Sequence, residues 1–263
     1  MISFLISAIK IIFLLGFLIG IHETGHFLIA KLCKVRVNEF AIGFGPVIWK
    51  KQGKETKYEL RLIPLGGFVN MEGEAEQSEK EGSFTKASIP RRIAIVAAGA
   101  LVNIIFAIMV YFILAMTIRG NLTNAVVGNR VLDADNFGNR VYFASYNTKE
   151  FMLSIAESVK QLFTGKVSSA ELVGPVGISE VVAKTNGFRE FIYILAAISI
   201  SLGVTNLLPF PPLDGGKIVL ILLEAIRRKP LNEKTEINIQ LIGFSILIAL
   251  SLYITYNDIL RIF

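Results

Sequence analysis

Gly16-Phe17-Leu18-Ile19-Gly20-Ile21-His22-Glu23-Thr24-Gly25-His26-Phe27-Leu28-Ile29-Ala30 is an apolar run interrupted by three ionisable side chains. It lies inside Ile2 to Leu32, which reads as one long helix with Lys10 its only basic residue before the histidines. Crossing a bilayer takes about 20 mostly apolar residues, and this stretch supplies them. Ionisable groups in such a helix are costly and mark functional sites. His22 and His26 are four residues apart, so both imidazoles share one helix face, about one turn from each other. Two imidazoles and one further carboxylate form a three-ligand zinc site with a position open for water. Glu23, next to the first imidazole, is placed to take a proton from that water and pass it to a leaving amine. The competing readings are a chance match or satisfied core histidines. Against them, the chain has only two histidines, and both lie in this motif.

Composition fits the same picture outward from the motif. The 263 residues are 53% hydrophobic and 18% charged, more apolar and less charged than a soluble domain. The apolar residues come in blocks: 2–32, 92–118, 191–226 with an internal break, and 237–256. The fold class expected is mainly α, a polytopic membrane protein with about four transmembrane helices. The N-terminal block lacks the basic start and small-residue cleavage site of a signal peptide, so it is read as a retained span. A net charge of +6 sits mostly at block ends, as anchors and topology signals rather than a nucleic-acid surface. Lys31 to Arg92 and Arg227-Arg228-Lys229 with Lys234 are the basic-rich segments. The positive-inside rule places both in the cytoplasm and both termini on the other side. Cys33 is the only cysteine and is given no role.

Between the first two blocks, residues 35–70 read as a β-rich loop. Lys57-Tyr58-Glu59-Leu60-Arg61-Leu62 alternates polar and apolar with the period of a half-buried strand. Gln52-Gly53-Lys54-Glu55 is a turn before it, and a small hairpin or sheet is expected at the cytoplasmic membrane face. Glu72 to Gly82 reads as a mobile polar loop. The third metal ligand must come from elsewhere, and Asp214 in Asn206-Leu207-Leu208-Pro209-Phe210-Pro211-Pro212-Leu213-Asp214-Gly215-Gly216 is the candidate. The prolines break any helix there, and such breaks at membrane depth are buried in protein or line a wet cavity. The alternative is that Asp214 simply caps the helix that follows.

With these motifs in place, the chain resembles the intramembrane site-2 metalloproteases, most closely the bacterial branch that cleaves membrane-bound anti-sigma factors and remnant signal peptides. The resemblance rests on His22-Glu23-Thr24-Gly25-His26, Gly43-Phe44-Gly45-Pro46, Pro64-Leu65-Gly66-Gly67-Phe68-Val69, and Arg91-Arg92 with Ala98-Gly99 and Asn103. It also rests on Gly174-Pro175-Val176-Gly177-Ile178 and Asn206 through Gly216. It implies one zinc ion held by His22, His26 and Asp214, Glu23 as catalytic base, and Asn206 as a substrate-binding residue. It further implies a β-loop that pairs with an unwound substrate strand, transmembrane protein substrates, and a bacterial cytoplasmic membrane location with the site toward the cytoplasm. Ala100 and Ser201 depart from the residues relatives often carry. So does 119–150, a short outer loop where a PDZ domain is expected; 151–189 follows as a surface helix and loop. The rival readings are a membrane zinc transporter and an inactive scaffold that binds helices; the glutamate beside the first histidine argues against the transporter, and the complete set of catalytic residues argues against the scaffold.

Overall fold

The computed structural model describes residues 2–74, 76, 78–117, 125–127, 130–132, 136–164, 174–229 and 231–262. Among the described residues, seven helices and four strands follow in the order α1 (Ile2–Leu32), β1 (Val37–Gln52), β2 (Lys57–Met71), α2 (Ile89–Met116), β3 (Ala125–Val127), β4 (Arg130–Leu132), α3 (Phe137–Phe163), α4 (Pro175–Ala183), α5 (Phe188–Asn206), α6 (Asp214–Arg227) and α7 (Glu233–Ile262). Among the described residues, α1, α2, α5 and α7 are long and apolar enough to cross a membrane. The expected mainly helical class with four spans holds. The stretch read as one broken span, 191–226, is α5, a non-helical Leu207–Leu213, and α6. With 14 residues, α6 is about 21 Å long, less than the ~30 Å apolar core of a bilayer.

The chain packs as two units. The first comprises Met1–Ile104 and Leu202–Tyr253. Its core gathers Ala30, Val35, Val37, Met71, Phe84, Ile95, Val96 and Ile221, so α1, β1, β2, α2 and α6 share one apolar interior. The hairpin expected at 35–70 is present. Gly53 N–H closes its turn on the Thr56 carbonyl at 2.9 Å. Both strands bend, because Glu39–Ile42 face Asn70–Gly67 on one side and Lys57–Leu60 on the other, and Trp49–Gln52 close the far side of Leu60–Lys57. Gly43 and Gly45 sit at the bend with φ of 93° and 80°, a region that side chains disfavour. Arg61 holds the folded strands together, donating to Glu39 Oε1 at 3.0 Å and Glu59 Oε2 at 2.7 Å. Glu72 to Gly82 is tied down at its described residues. Glu72 accepts from Asn38 (3.1 Å) and Ser78 (2.7 Å), and Arg36 N–H donates to the Gly82 carbonyl at 2.8 Å.

The second unit comprises Ile105–Ser201 and Ile254–Phe263. Here the structure differs from the sequence reading: α3 begins at Phe137, inside the stretch taken as loop. Asn136 Oδ1 accepts from the N–H of Gly138 at 2.8 Å, an N-cap that starts the helix early. Asn147 and Thr148 are weak helix formers that return their side-chain donors to the carbonyls of Phe143 and Ala144 one turn back. Phe151 of α3 stacks on Tyr111 with ring centroids 4.4 Å apart. β3 and β4 form a minimal hairpin within 119–150; the rest of 118–135 and residues 165–173 lie outside the described residues. The Gly-Pro-Val-Gly segment starts α4, and the buried Asp258 of α7 accepts the Gly177 N–H at 2.9 Å.

Candidate active site

Helix α1 brings His22 and His26 together because a spacing of four returns to the same face. Their rings meet edge to face with centroids 4.8 Å apart, and the two Nε2 atoms are 3.1 Å apart. The break after α5 delivers Asp214 to the same point. Its Oδ2 is 3.2 Å from His22 Nε2 and 3.6 Å from His26 Nε2. Leu213 is the residue ahead of the first turn of α6, so the Asp214 carboxylate faces the imidazoles instead of closing that helix. The glycines that follow allow this approach. A Cβ on Gly215 would collide with the Leu207 carbonyl, and one on Gly216 would lie 2.6 Å from the carbonyl carbon of Phe210.

These three groups fit a zinc ion. Their ligand atoms all lie within 4.8 Å of one another, and both histidines are buried. Asp214 Oδ2 is buried against the two Nε2 atoms, and with both nitrogens unprotonated it has no hydrogen-bond donor, so three acceptors meet where a cation would fit. Two nitrogens and one oxygen suit zinc with a further position open. His26 Nδ1 is 2.8 Å from the Ile95 carbonyl, and donation there leaves Nε2 as the acceptor atom, as metal ligation requires.

Helix α2 contributes in a way the motif did not reveal. A Cβ on Gly99 would collide with His26 Nε2 and lie 2.8 Å from His22 Nε2. Only glycine leaves the room. Asn103, fully buried one turn further on, has its amide 3.4 Å from His22 Nδ1. The resemblance had pointed to both residues, but without a role.

Glu23 lines the same cavity as the histidines and Asp214, a space of about 220 Å³ whose other walls include Gly67, Phe68, Val69 and Met71 of β2. Glu74 and Lys217 also border it, joined by an ion pair of 2.6 Å. Lys217 follows Asp214 by three residues on α6, and no sequence signal set it apart. Asn206 is the last residue of α5, half-buried ahead of the break, and is not part of this cavity wall.

Residues 10–250 match the profile of peptidase family M50. A Fusobacterium nucleatum protein named as a candidate zinc metalloprotease is 31% identical, covering 99% of this chain and 99% of its own. A Clostridium acetobutylicum protein of the same description is 30% identical, covering 93% of this chain and 94% of its own. The zinc metalloprotease RasP of Bacillus licheniformis is 26% identical, covering 98% of this chain and 99% of its own. The Fusobacterium alignment runs over 343 positions, more than the 263 residues present here.

Proposed function

The chain belongs to peptidase family M50, the site-2 zinc metalloproteases, and from that premise we propose that it cuts single-span membrane proteins within or next to the bilayer, with His22, His26 and Asp214 as zinc ligands and Glu23 as general base. It is a multi-pass membrane zinc metalloprotease. The observation that carries the residue assignment is the convergence of two imidazole nitrogens and one carboxylate oxygen beside the only glutamate of α1.

When bound, zinc supplies Lewis acidity, polarising the scissile carbonyl and making water acidic enough to attack near neutral pH. Glu23 takes a proton from the attacking water as its oxygen bonds to the carbonyl carbon. The same carboxyl then gives that proton to the amide nitrogen as the C–N bond breaks, so the leaving amine departs neutral. The Gly67–Met71 edge of β2 offers backbone groups to an extended substrate segment, which a transmembrane helix must become before its peptide bond is open to attack. Asn206, next to the break, holds that segment's backbone from outside the metal cavity.

The substrate class is that of anti-sigma factors or remnant signal peptides, cut after a first cleavage elsewhere. The location is a bacterial cytoplasmic membrane with the site toward the cytoplasm and both termini outside; the basic residues of Lys31–Arg92 and Arg227–Lys229 support that orientation. The relatives' extra aligned length supports a segment that this chain lacks, and the short 119–150 is where a PDZ domain would sit.

The test is cleavage of a single-span reporter by purified protein in detergent. Wild type is expected to cut inside the span and to stop when zinc is chelated. Glu23→Gln should keep one zinc per chain and lose about 10²–10⁴-fold in rate. Zinc-loaded Glu23→Gln cutting at the wild-type rate would remove Glu23 from the chemistry.

A further inference from the structure

Ile95, Gly99 and Asn103 recur every fourth residue and form one stripe along α2. Each meets the histidine pair differently. The Ile95 carbonyl receives His26 Nδ1 at 2.8 Å. Gly99 leaves the gap through which the two Nε2 atoms approach. Asn103 reaches His22 Nδ1 at 3.4 Å. The two rings therefore share one need, and α2 supplies both answers. An imidazole that offers Nε2 to a metal carries its proton on Nδ1, and that N–H needs an acceptor. For His26 the acceptor is a backbone carbonyl. For His22 the group within reach is the Asn103 amide.

The Asn103 Nδ2 faces His22 Nδ1 in the structure. Two donors face each other if Nδ1 is protonated, and the contact then repels. An amide presents an oxygen or a nitrogen to the same spot after half a turn about its last bond, with little change of shape. Turned that way, Oδ1 accepts the Nδ1–H. Asn103 is fully buried, so water does not compete for that bond.

We propose that Asn103 is a positioning residue for the metal centre: its Oδ1 accepts the His22 Nδ1–H and holds the ring with the Nε2 lone pair directed at zinc. The inference rests on the zinc-ligand assignment made above. It concerns a residue that touches neither substrate nor zinc.

The test uses the full chain in detergent, with zinc affinity from chelator competition and the visible absorption of the cobalt(II)-substituted protein. Asn103→Leu removes the acceptor at similar size, and Asn103→Asp keeps an oxygen there. His22→Ala is the reference for a lost ligand, and thermal melting of the metal-free forms checks folding. Asn103→Leu should bind zinc about 10–100-fold more weakly, the usual effect of losing such a partner, and shift the cobalt spectrum. Asn103→Asp should restore affinity to within a few-fold of wild type. If Asn103→Leu does not fold, Asn103→Ala carries the same comparison. Wild-type affinity and an unchanged cobalt spectrum in the variants without an acceptor would overturn the role. So would an aspartate variant as weak as the leucine one. A wild type that takes up no zinc would instead bring down the ligand assignment itself.

Discussion

Asp214 and Asp258 are carboxylates shielded from solvent on helices, and they serve different ends. Asp258 is the more enclosed, at 2% exposure against 20% for the Asp214 side chain. Burial alone would point to Asp258 as the active centre. What differs is the partner. Asp258 accepts the Gly177 backbone N–H at 2.9 Å, so its charge meets a fixed donor at the start of α4. Such a site is complete, and the positive end of a helix suits a carboxylate. Asp214 instead faces two imidazole nitrogens whose lone pairs converge with its own. With both Nε2 atoms unprotonated, a cation would complete that arrangement. A buried acid marks chemistry when its neighbours are acceptors, and marks architecture when they are backbone donors.

The comparison is broken most directly by exchanging the outcomes. Asp214→Ala should reduce bound zinc to background and abolish cleavage while leaving the thermal melt of the metal-free protein near wild type. Gly99→Ala should do the same by filling the gap between the histidines. Asp258→Ala should do the reverse, keeping one zinc per chain and costing about 1–3 kcal/mol of stability as the Gly177 N–H loses its acceptor. Zinc loss in the Asp258 variant would erase the distinction.

Smaller effects sharpen it. The Lys217–Glu74 pair borders the metal cavity but is partly solvated, so Lys217→Met should change stability by no more than about 1 kcal/mol and leave zinc binding intact. Metal assay and thermal melting on one preparation check both points. The smallest effect is expected at Glu72, outside the spans. Hydrogen bonds from Ser78 and Asn38, with Lys80 nearby, hold its carboxyl well below its ordinary 4.5, at about 2. A depressed carboxyl stabilises the fold fully above the unfolded value and loses that contribution as pH falls from about 4.5 through about 2. Hydrogen exchange at Glu72–Phe84 should therefore be flat with pH-corrected rate above pH 5 and speed up below it, and Glu72→Gln should remove that rise.

Much of the candidate site was legible because its signals are local. A spacing of four on one helix sets the relation of His22 and His26 before any packing occurs. The prolines ahead of Asp214 announced a broken helix, and the Gly53 turn announced the hairpin. Other features were not legible. The early start of α3 depends on Asn136 acting as a cap and on Asn147 and Thr148 bonding back to their own helix, which residue preference alone argues against. Asn206 carried a role by resemblance, yet the fold leaves it outside the cavity wall that Glu23 lines.

By itself, then, the sequence determined the spans, the β-hairpin, and the placing of His22, Glu23 and His26 within about one turn of α1, since each depends on neighbours within a few positions. Only the tertiary structure decided that Asp214 turns to the histidines rather than closing α6, that Gly99 and Asn103 stand behind them, and that Asp258 caps α4. The physical reason is that these contacts join groups separated by tens to hundreds of residues. Which side chains meet there follows from how closely two helices can approach, and that is set by packing, not by spacing along the chain.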